Sequence, residues 1–212
     1  MSQPEVSIER GLPEELRHEA ALVFDQGFGD KMGYGIPDDR RRLALIERAL
    51  VADDIVVAKV GDELAGIVGL KTRGGRYAKG PLSDEALSLR SLYRHLGFVG
   101  ALRAKFILVP FRSTPPADAL YLGEIVVGEA ARGRGVGTRL LDEVVTIARV
   151  EGKARIQLDV ADSNHRAREL YERQGYVVVK TIRFGFMRRF MGYGGVDTMD
   201  HVLDQPAAGD VA

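Results

Sequence analysis

The stretch Tyr121–Arg149, YLGEIVVGEAARGRGVGTRLLDEVVTIAR, decides how this chain is read. Ile125-Val126-Val127 is a short apolar run of strand type. Arg132-Gly133-Arg134-Gly135-Val136-Gly137-Thr138 follows as a glycine-dense turn. From Thr138 to about Val150 apolar residues recur at helical spacing, and Gly152 closes the helix. Strand, glycine turn and helix in this order gather free backbone N–H groups and the positive end of a helix at one spot, and such a spot binds anions, most often phosphates. Gly133, Gly135 and Gly137 let the backbone come close to a bulky anion and adopt positive φ where needed. A plain strand-to-helix turn requires fewer glycines. The pattern is neither G-x-G-x-x-G nor a P-loop, so dinucleotide and nucleoside triphosphate sites fit it less well.

The totals set bounds around this stretch. The chain has 212 residues, 45% of them hydrophobic and 28% charged, which suits a soluble globular protein. Thirty basic and thirty acidic residues leave a formal net charge of zero, so nothing global points to nucleic acid. There is no cysteine, and hence no disulfide, thiolate metal site or cysteine nucleophile. The opening MSQPEVSIER lacks a basic segment followed by an apolar core, and no apolar run is long enough for a membrane span. A cytoplasmic location is the expectation.

Working outward, Val6 to Ile8 reads as a first strand. Pro13, Glu14 and Glu15 open a helix carrying Leu16, Ala20, Val23 and Phe24, which should end before Gly27 and Gly29, leaving GFGDKMGYGIP as a loop. Asp38 or Asp39 caps a second helix with the stripe Leu43, Ile46, Ala49 and Leu50. Asp54 to Val60, the turn Gly61-Asp62 and Glu63 to Lys71 form a hairpin. Beyond the central stretch, Arg155 to Ala161 alternates as a strand, Arg166 to Gln174 is a helix, and Val177 to Phe184 and Val196 to Leu203 are strands. The tail 204–212 reads as frayed. The whole is one α/β domain, 1–212, in which strands joined by short turns are antiparallel and the strands at Ile125 and Ile156 are parallel.

Two motifs carry a resemblance. Arg132-Gly133-Arg134-Gly135-Val136-Gly137 fits the R-x-x-G-x-G signature of the GCN5-related N-acetyltransferases, with Val127 where that family's fourth strand ends. Asn164-His165-Arg166-Ala167-Arg168-Glu169-Leu170-Tyr171-Glu172-Arg173-Gln174-Gly175-Tyr176 resembles the family's N-x-x-A-x-x-L-Y-x-x-x-G-[FY] pattern. The motifs span about Tyr121 to Tyr176, in the expected order. The resemblance implies a mixed, mostly antiparallel sheet of about seven strands flanked by helices, and acetyl-CoA as acyl donor with no metal. It further implies transfer of an acetyl group to a primary amine of a small molecule or protein. The pyrophosphate would lie on residues Arg132, Gly133, Arg134, Gly135, Val136, Gly137 and Thr138, and the pantetheine arm along Ile125, Val126 and Val127 with help from Asn164. A non-catalytic acyl-CoA-binding or regulatory module of the same fold is the alternative.

Acyl transfer to an amine needs a base for the ammonium proton and an acid for the departing thiolate. Tyr171 matches the position of the family's usual acid, although it could simply pack on the cofactor. Glu124, at the start of the central strand, is the first choice of base. Strand alternation leaves its facing open, and a solvated or salt-bridged role is the alternative. Asp159 could serve from the neighbouring strand. Asn164 could equally cap the next helix. His18, His95, His165 and His201 show no metal-ligand spacing.

The acceptor walls are expected at Gly27 to Pro37 and Gly185 to Gly195, with the aromatics Phe28, Tyr34, Phe190 and Tyr193 and with Asp25 and Asp30 able to meet a cationic amine. Residues 72–118 interrupt the rhythm as a helical insertion between strands 3 and 4, forming one helix or two broken near Gly97 or Gly100. From 86 to 117 it holds five basic residues, Arg90, Arg94, Arg103, Lys105 and Arg112, and no acidic one. The plain reading packs this helix on the core with its arginines in water. A lid, an acidic partner or membrane-surface contact through 86–112 are the others. Both a monomer and a homodimer fit the sequence.

Overall fold

Among the described residues, seven strands and five α-helices follow one another as β1 (Val6–Arg10), α1 (Arg17–Gly33), α2 (Asp39–Ala49), β2 (Ile55–Val60), β3 (Glu63–Lys71), α3 (Leu89–Leu108), β4 (Ala119–Val127), α4 (Val136–Val150), β5 (Arg155–Ala161), α5 (His165–Arg173), β6 (Val177–Arg183) and β7 (Gly195–Val202). The computed structural model describes residues 5–33, 35–108, 114–185 and 192–204. The strands form one sheet in the order β1-β2-β3-β4-β5-β7-β6. Every adjacent pair is antiparallel except β4 and β5, which are joined through α4 and run parallel.

Each face of the sheet has its own core. On one face α4 and α5 cover Val56, Val68, Leu70, Leu120, Leu122, Ile156 and Leu158. On the other, α1, α2 and α3 cover Ile55, Val57, Ile67 and Val126. A strand that buries both faces reads as a continuous apolar run, which is why Ile55-Val56-Val57-Ala58 is buried at every position. No helix among the described residues is long and apolar enough to cross a membrane.

The sequence expectation for α1 needs correction. The helix does not stop before Gly27 but runs through Gly27 and Gly29 to Gly33. Packing overrides propensity here. A Cβ at Gly27 would lie 2.7 Å from Cγ2 of Val126, so glycine is what lets α1 lie against the end of β4. The segment first read as loop is thus mostly helix, and Tyr34 lies outside the described residues. The central strand is also longer than its apolar triplet, starting at Ala119 instead of beside Glu124. The segment between β3 and β4 contains the expected helix, broken at Gly97, whose φ of 70° and ψ of −178° are not helical. Arg112, most of the loop before β7 including Phe190, and the tail beyond Asp204 lie outside the described residues.

Candidate active site

Strand β4 departs from regularity at the point that matters. Leu122 pairs with Leu70 and Ile125 with Val68, so Gly123 and Glu124 together oppose Gly69 in a β-bulge. Before the bulge, Leu120 and Leu122 face α4. After it, Val126 faces α1, although period-two alternation would put all three on one side.

Beyond the bulge β4 also leaves β5. The parallel ladder covers Ala119↔Arg155 to Leu122↔Leu158 and no further, while β4 continues to Val127 and β5 to Ala161. The two strands therefore fork. The Gly128 N–H donates to the Ala65 carbonyl at 2.9 Å, which makes that pair hydrogen-bonded. Alternation along an antiparallel ladder then turns the N–H and C=O groups of Val127 and Ile125 away from β3 and towards the fork.

A cleft of about 570 Å³ occupies the fork. Its walls are β4 from Leu122 to Val127 apart from Glu124, β5 from Asp159 to Ala161, the start of α4, one side of α5, and Gln26, Gly27 and Phe28 of α1. Gly133 and Gly135 have φ of 78° and 75°, a region closed to most side chains, and Gly135 is the residue before the first turn of α4. A Cβ on Gly137 would come 3.2 Å from Leu170, so this glycine allows the close approach of α4 to α5. The first N–H groups of α4 have no partner within the helix and open onto the cleft beside Val136, Gly137 and Thr138.

Of the residues singled out from sequence, Ile125, Val126, Val127, Arg132, Gly133, Gly135, Val136, Gly137, Thr138, Asn164 and Tyr171 all line this cleft. Arg134 is exposed and does not. Arg132 donates from Nε to the Val127 carbonyl at 3.4 Å and from Nη1 to Glu129 at 3.3 Å, tying the loop to the end of β4. The Asn164 side chain caps α5, accepting from the Ala167 N–H at 3.2 Å. Tyr171 is 5% exposed and its ring packs 5.7 Å from that of Tyr176; burial pushes its phenol well above the usual range, so it holds its proton.

Glu124 is not in the cleft wall. It is 4% exposed, on the α1 side of the sheet, and its Oε2 is buried without a hydrogen-bond partner. Pro81 and this carboxyl crowd the same glycine: a Cβ on Gly69 would meet Pro81 at 2.4 Å and Oε2 of Glu124 at 3.0 Å. Burial pushes its carboxyl from 4.5 up to about 8, with Lys71 pulling weakly the other way. Asp159 is committed differently, accepting from the Tyr121 hydroxyl at 3.0 Å and the Thr198 hydroxyl at 2.6 Å. Asp25 is paired with Arg42 of α2 at 2.6 and 3.0 Å, so its charge is already met. The side chain of Asp30 lies outside the described residues. Tyr193 is buried against Phe184 with ring centroids 5.6 Å apart. His18 meets Glu47, His95 meets Arg48, and His201 packs on Tyr176. Sequence reasoning missed Gln26, Arg166 and Arg173. The two arginines sit inside the second motif, and with Arg132 they outnumber Asp159, the acidic residue of the wall. That excess of positive charge suits an anion.

The family described as acetyltransferase (GNAT) matches residues 28–176, some seven-tenths of the chain, both strands of the fork included. The chain belongs to the GNAT family. Among curated GNAT relatives, a mycothiol acetyltransferase of Beutenbergia cavernae is 42% identical over 81 residues, 38% of this chain and 26% of that protein. A thialysine N-epsilon-acetyltransferase of Bos taurus is 36% identical over 63 residues, 30% of this chain and 37% of that protein. The chain thus spans roughly a quarter to a third of the curated relatives it matches. Solved structures agree over much more of it. An N-acetyltransferase from Staphylococcus aureus Mu50 has a TM-score of 0.63 at 17% identity, covering 92% of this chain and 100% of that one. A GCN5-related N-acetyltransferase from Kribbella flavida has a TM-score of 0.59 at 18% identity, covering 93% and 98%. At such identities the likeness is one of GNAT fold, over more than nine-tenths of the chain.

Proposed function

We propose that this chain is an acetyl-CoA-dependent N-acyltransferase that moves an acetyl group directly onto a primary amine of a small molecule or protein. The observation that carries the reading is the fork between β4 and β5, with ladder groups of Ile125 and Val127 turned into it, a positive-φ glycine loop at one end and the Tyr171 phenol in its wall. These features fit coenzyme A. The groups of β4 turned into the fork offer a pantetheine amide the partners a neighbouring strand would. The amides of the loop and of the α4 N-terminus suit a pyrophosphate, and Arg166 and Arg173 add charge at the cleft. The Nδ2 of Asn164, whose Oδ1 is spent on the helix cap, would donate to the arm.

Acetyl-CoA supplies an activated thioester. The chain's residues then have two proton tasks. Tyr171, kept protonated by burial, donates to the departing sulfur. Glu124, whose carboxyl burial raises to about 8 and which faces the α1 side, takes a proton from the acceptor amine, directly or through water. The Val127 N–H polarises the thioester carbonyl. With no cysteine to carry an acyl group, transfer is direct. One observation favours the second reading, a non-catalytic acyl-CoA-binding module: the Glu124 carboxyl is buried and does not line the cleft.

A panel of amines offered with acetyl-CoA and read by free-thiol release tests both readings, together with Tyr171→Phe. Thiol release with some amine, lowered about a hundredfold by Tyr171→Phe while coenzyme A binding persists, is the expected result. Turnover unchanged by Tyr171→Phe removes the acid. Tight coenzyme A binding with no turnover on any amine replaces the enzyme by the binding module.

A further inference from the structure

Helix α3 buries one set of side chains and leaves a set of large apolar ones exposed. Leu92, Ala101 and Ala104 are buried against α1 and the sheet, with Ser91 beside them. Leu89, Tyr93, Phe98, Val99 and Leu102 are each between 54% and 72% exposed. Core packing accounts for the first set and not for the second. Five large apolar groups along α3 stand exposed among the described residues, and clusters of such groups mark contact surfaces. They lie on both sides of the break at Gly97, Leu89 and Tyr93 before it and Phe98, Val99 and Leu102 after it.

Charge says what the patch fits. Arg90, Arg94 and Arg103 are exposed among these residues, and the sequence from 86 to 117 contains no acidic residue, although the chain as a whole is neutral. Two copies meeting through α3 would set arginine against arginine, which disfavours a second copy. Exposed aromatic and aliphatic groups interleaved with arginines, whose apolar stems can lie along the same surface while the guanidinium reaches outward, match a helix that lies in a bilayer interface. Anionic headgroups would neutralise the cations as the apolar side chains leave water. We infer that the outer face of α3 docks on an anionic lipid bilayer, with Tyr93, Phe98, Val99 and Leu102 entering the headgroup and acyl boundary and Arg90, Arg94 and Arg103 meeting the headgroups.

Sedimentation of the full chain with sucrose-loaded vesicles tests this, using phosphatidylcholine alone against phosphatidylcholine with about one-third phosphatidylglycerol. The protein should pellet with the anionic vesicles, far less with the neutral ones, and be released by high salt. Phe98→Asp with Leu102→Asp should weaken pelleting about a hundredfold while the melting temperature stays within a few degrees of the parent, because both side chains already face water. Arg90→Glu with Arg94→Glu, on the other half of the helix, should abolish the preference for anionic vesicles. Failure to pellet with anionic vesicles overturns the inference, as does equal pelleting of Phe98→Asp/Leu102→Asp. A dimer in solution that this double variant splits into monomers, without vesicle binding, assigns the patch to a second copy instead.

Discussion

Replacing Glu124 by glutamine should stabilise this protein, by an amount that grows with pH in one direction. The carboxyl is 4% exposed, its Oε2 has no partner, and burial raises it from 4.5 to about 8. The sign follows from proton counting. Below pH 4.5 the group is protonated in both folded and unfolded chains and contributes no pH-dependent term. Between 4.5 and 8 the unfolded chain ionises while the folded one keeps its proton, so stability falls by about 1.4 kcal/mol per pH unit. Above 8 both forms are ionised and the loss is complete. Over the interval from 4.5 to about 8 the loss reaches at most about 5 kcal/mol. Glutamine has the same shape, does not ionise and removes the whole term. Urea unfolding of both proteins from pH 4 to pH 9 reads the difference. It should be flat below the lower limit, rise in favour of Glu124→Gln, and level off above the upper one. A difference independent of pH, or one that falls as pH rises, would refute the buried and unpartnered state of this carboxyl. The same variant separates stability from chemistry, because a base that titrates near 8 makes parental kcat/KM climb with pH, and glutamine should lose turnover while gaining stability.

Gly135→Glu puts a bulky anion at a residue with φ of 75° beside the cleft, and coenzyme A binding measured by calorimetry should vanish; binding equal to the parent would break the assignment of the glycine loop. Gly27→Ala drives a Cβ to 2.7 Å from Val126, so a loss of about 1–3 kcal/mol is expected in thermal or urea unfolding, where a gain from the better helix former would contradict the close approach of α1 to β4. Asp25→Ala strands the Arg42 guanidinium, only 10% exposed, with its remaining partners Asp39 and the Ile36 carbonyl, and should cost about 2 kcal/mol in the same assay. An unchanged midpoint would show that the pair contributes nothing to the α1–α2 contact.

The fold was legible where one physical rule dominates. The Gly61-Asp62 turn between two β-branched runs could only be a hairpin, and its strands are Ile55–Val60 and Glu63–Lys71. The span of α4 and β5 followed from helical spacing and strict alternation. The path of α1 did not, because the reason for glycine at position 27 is Val126, a hundred residues along the chain, and no local pattern contains it. The cleft residues carried by the two motifs came together. Phe28 was expected in the acceptor wall, whereas Gln26, also supplied by α1, depends on the same distant contact. The outward face of α3 was equally hidden. A periodic apolar stripe says that a helix has two sides, and only the packed sheet says which of them the core has room for.

Glu124 shows most plainly where sequence reasoning stops. Regular alternation along β4 would put Leu120, Leu122, Glu124 and Val126 on one face, and the carboxylate would then have to share the apolar space under α4. Gly123 and Glu124 instead oppose the single residue Gly69, and the extra residue turns everything after it to the other face. That one irregularity has three consequences at once. It moves Glu124 to the α1 side, away from the apolar core under α4. Its position, immediately after the last residues paired with β5, is where the fork begins. It also sets the register that turns the ladder groups of Ile125 and Val127 into the cleft. Gly69, opposite the bulge, leaves room for Pro81, which a Cβ there would meet at 2.4 Å. The cleft and the buried carboxyl are therefore products of one backbone feature, coupled through the strand between them, and Gly69, which faces the bulge, lies outside both sequence motifs.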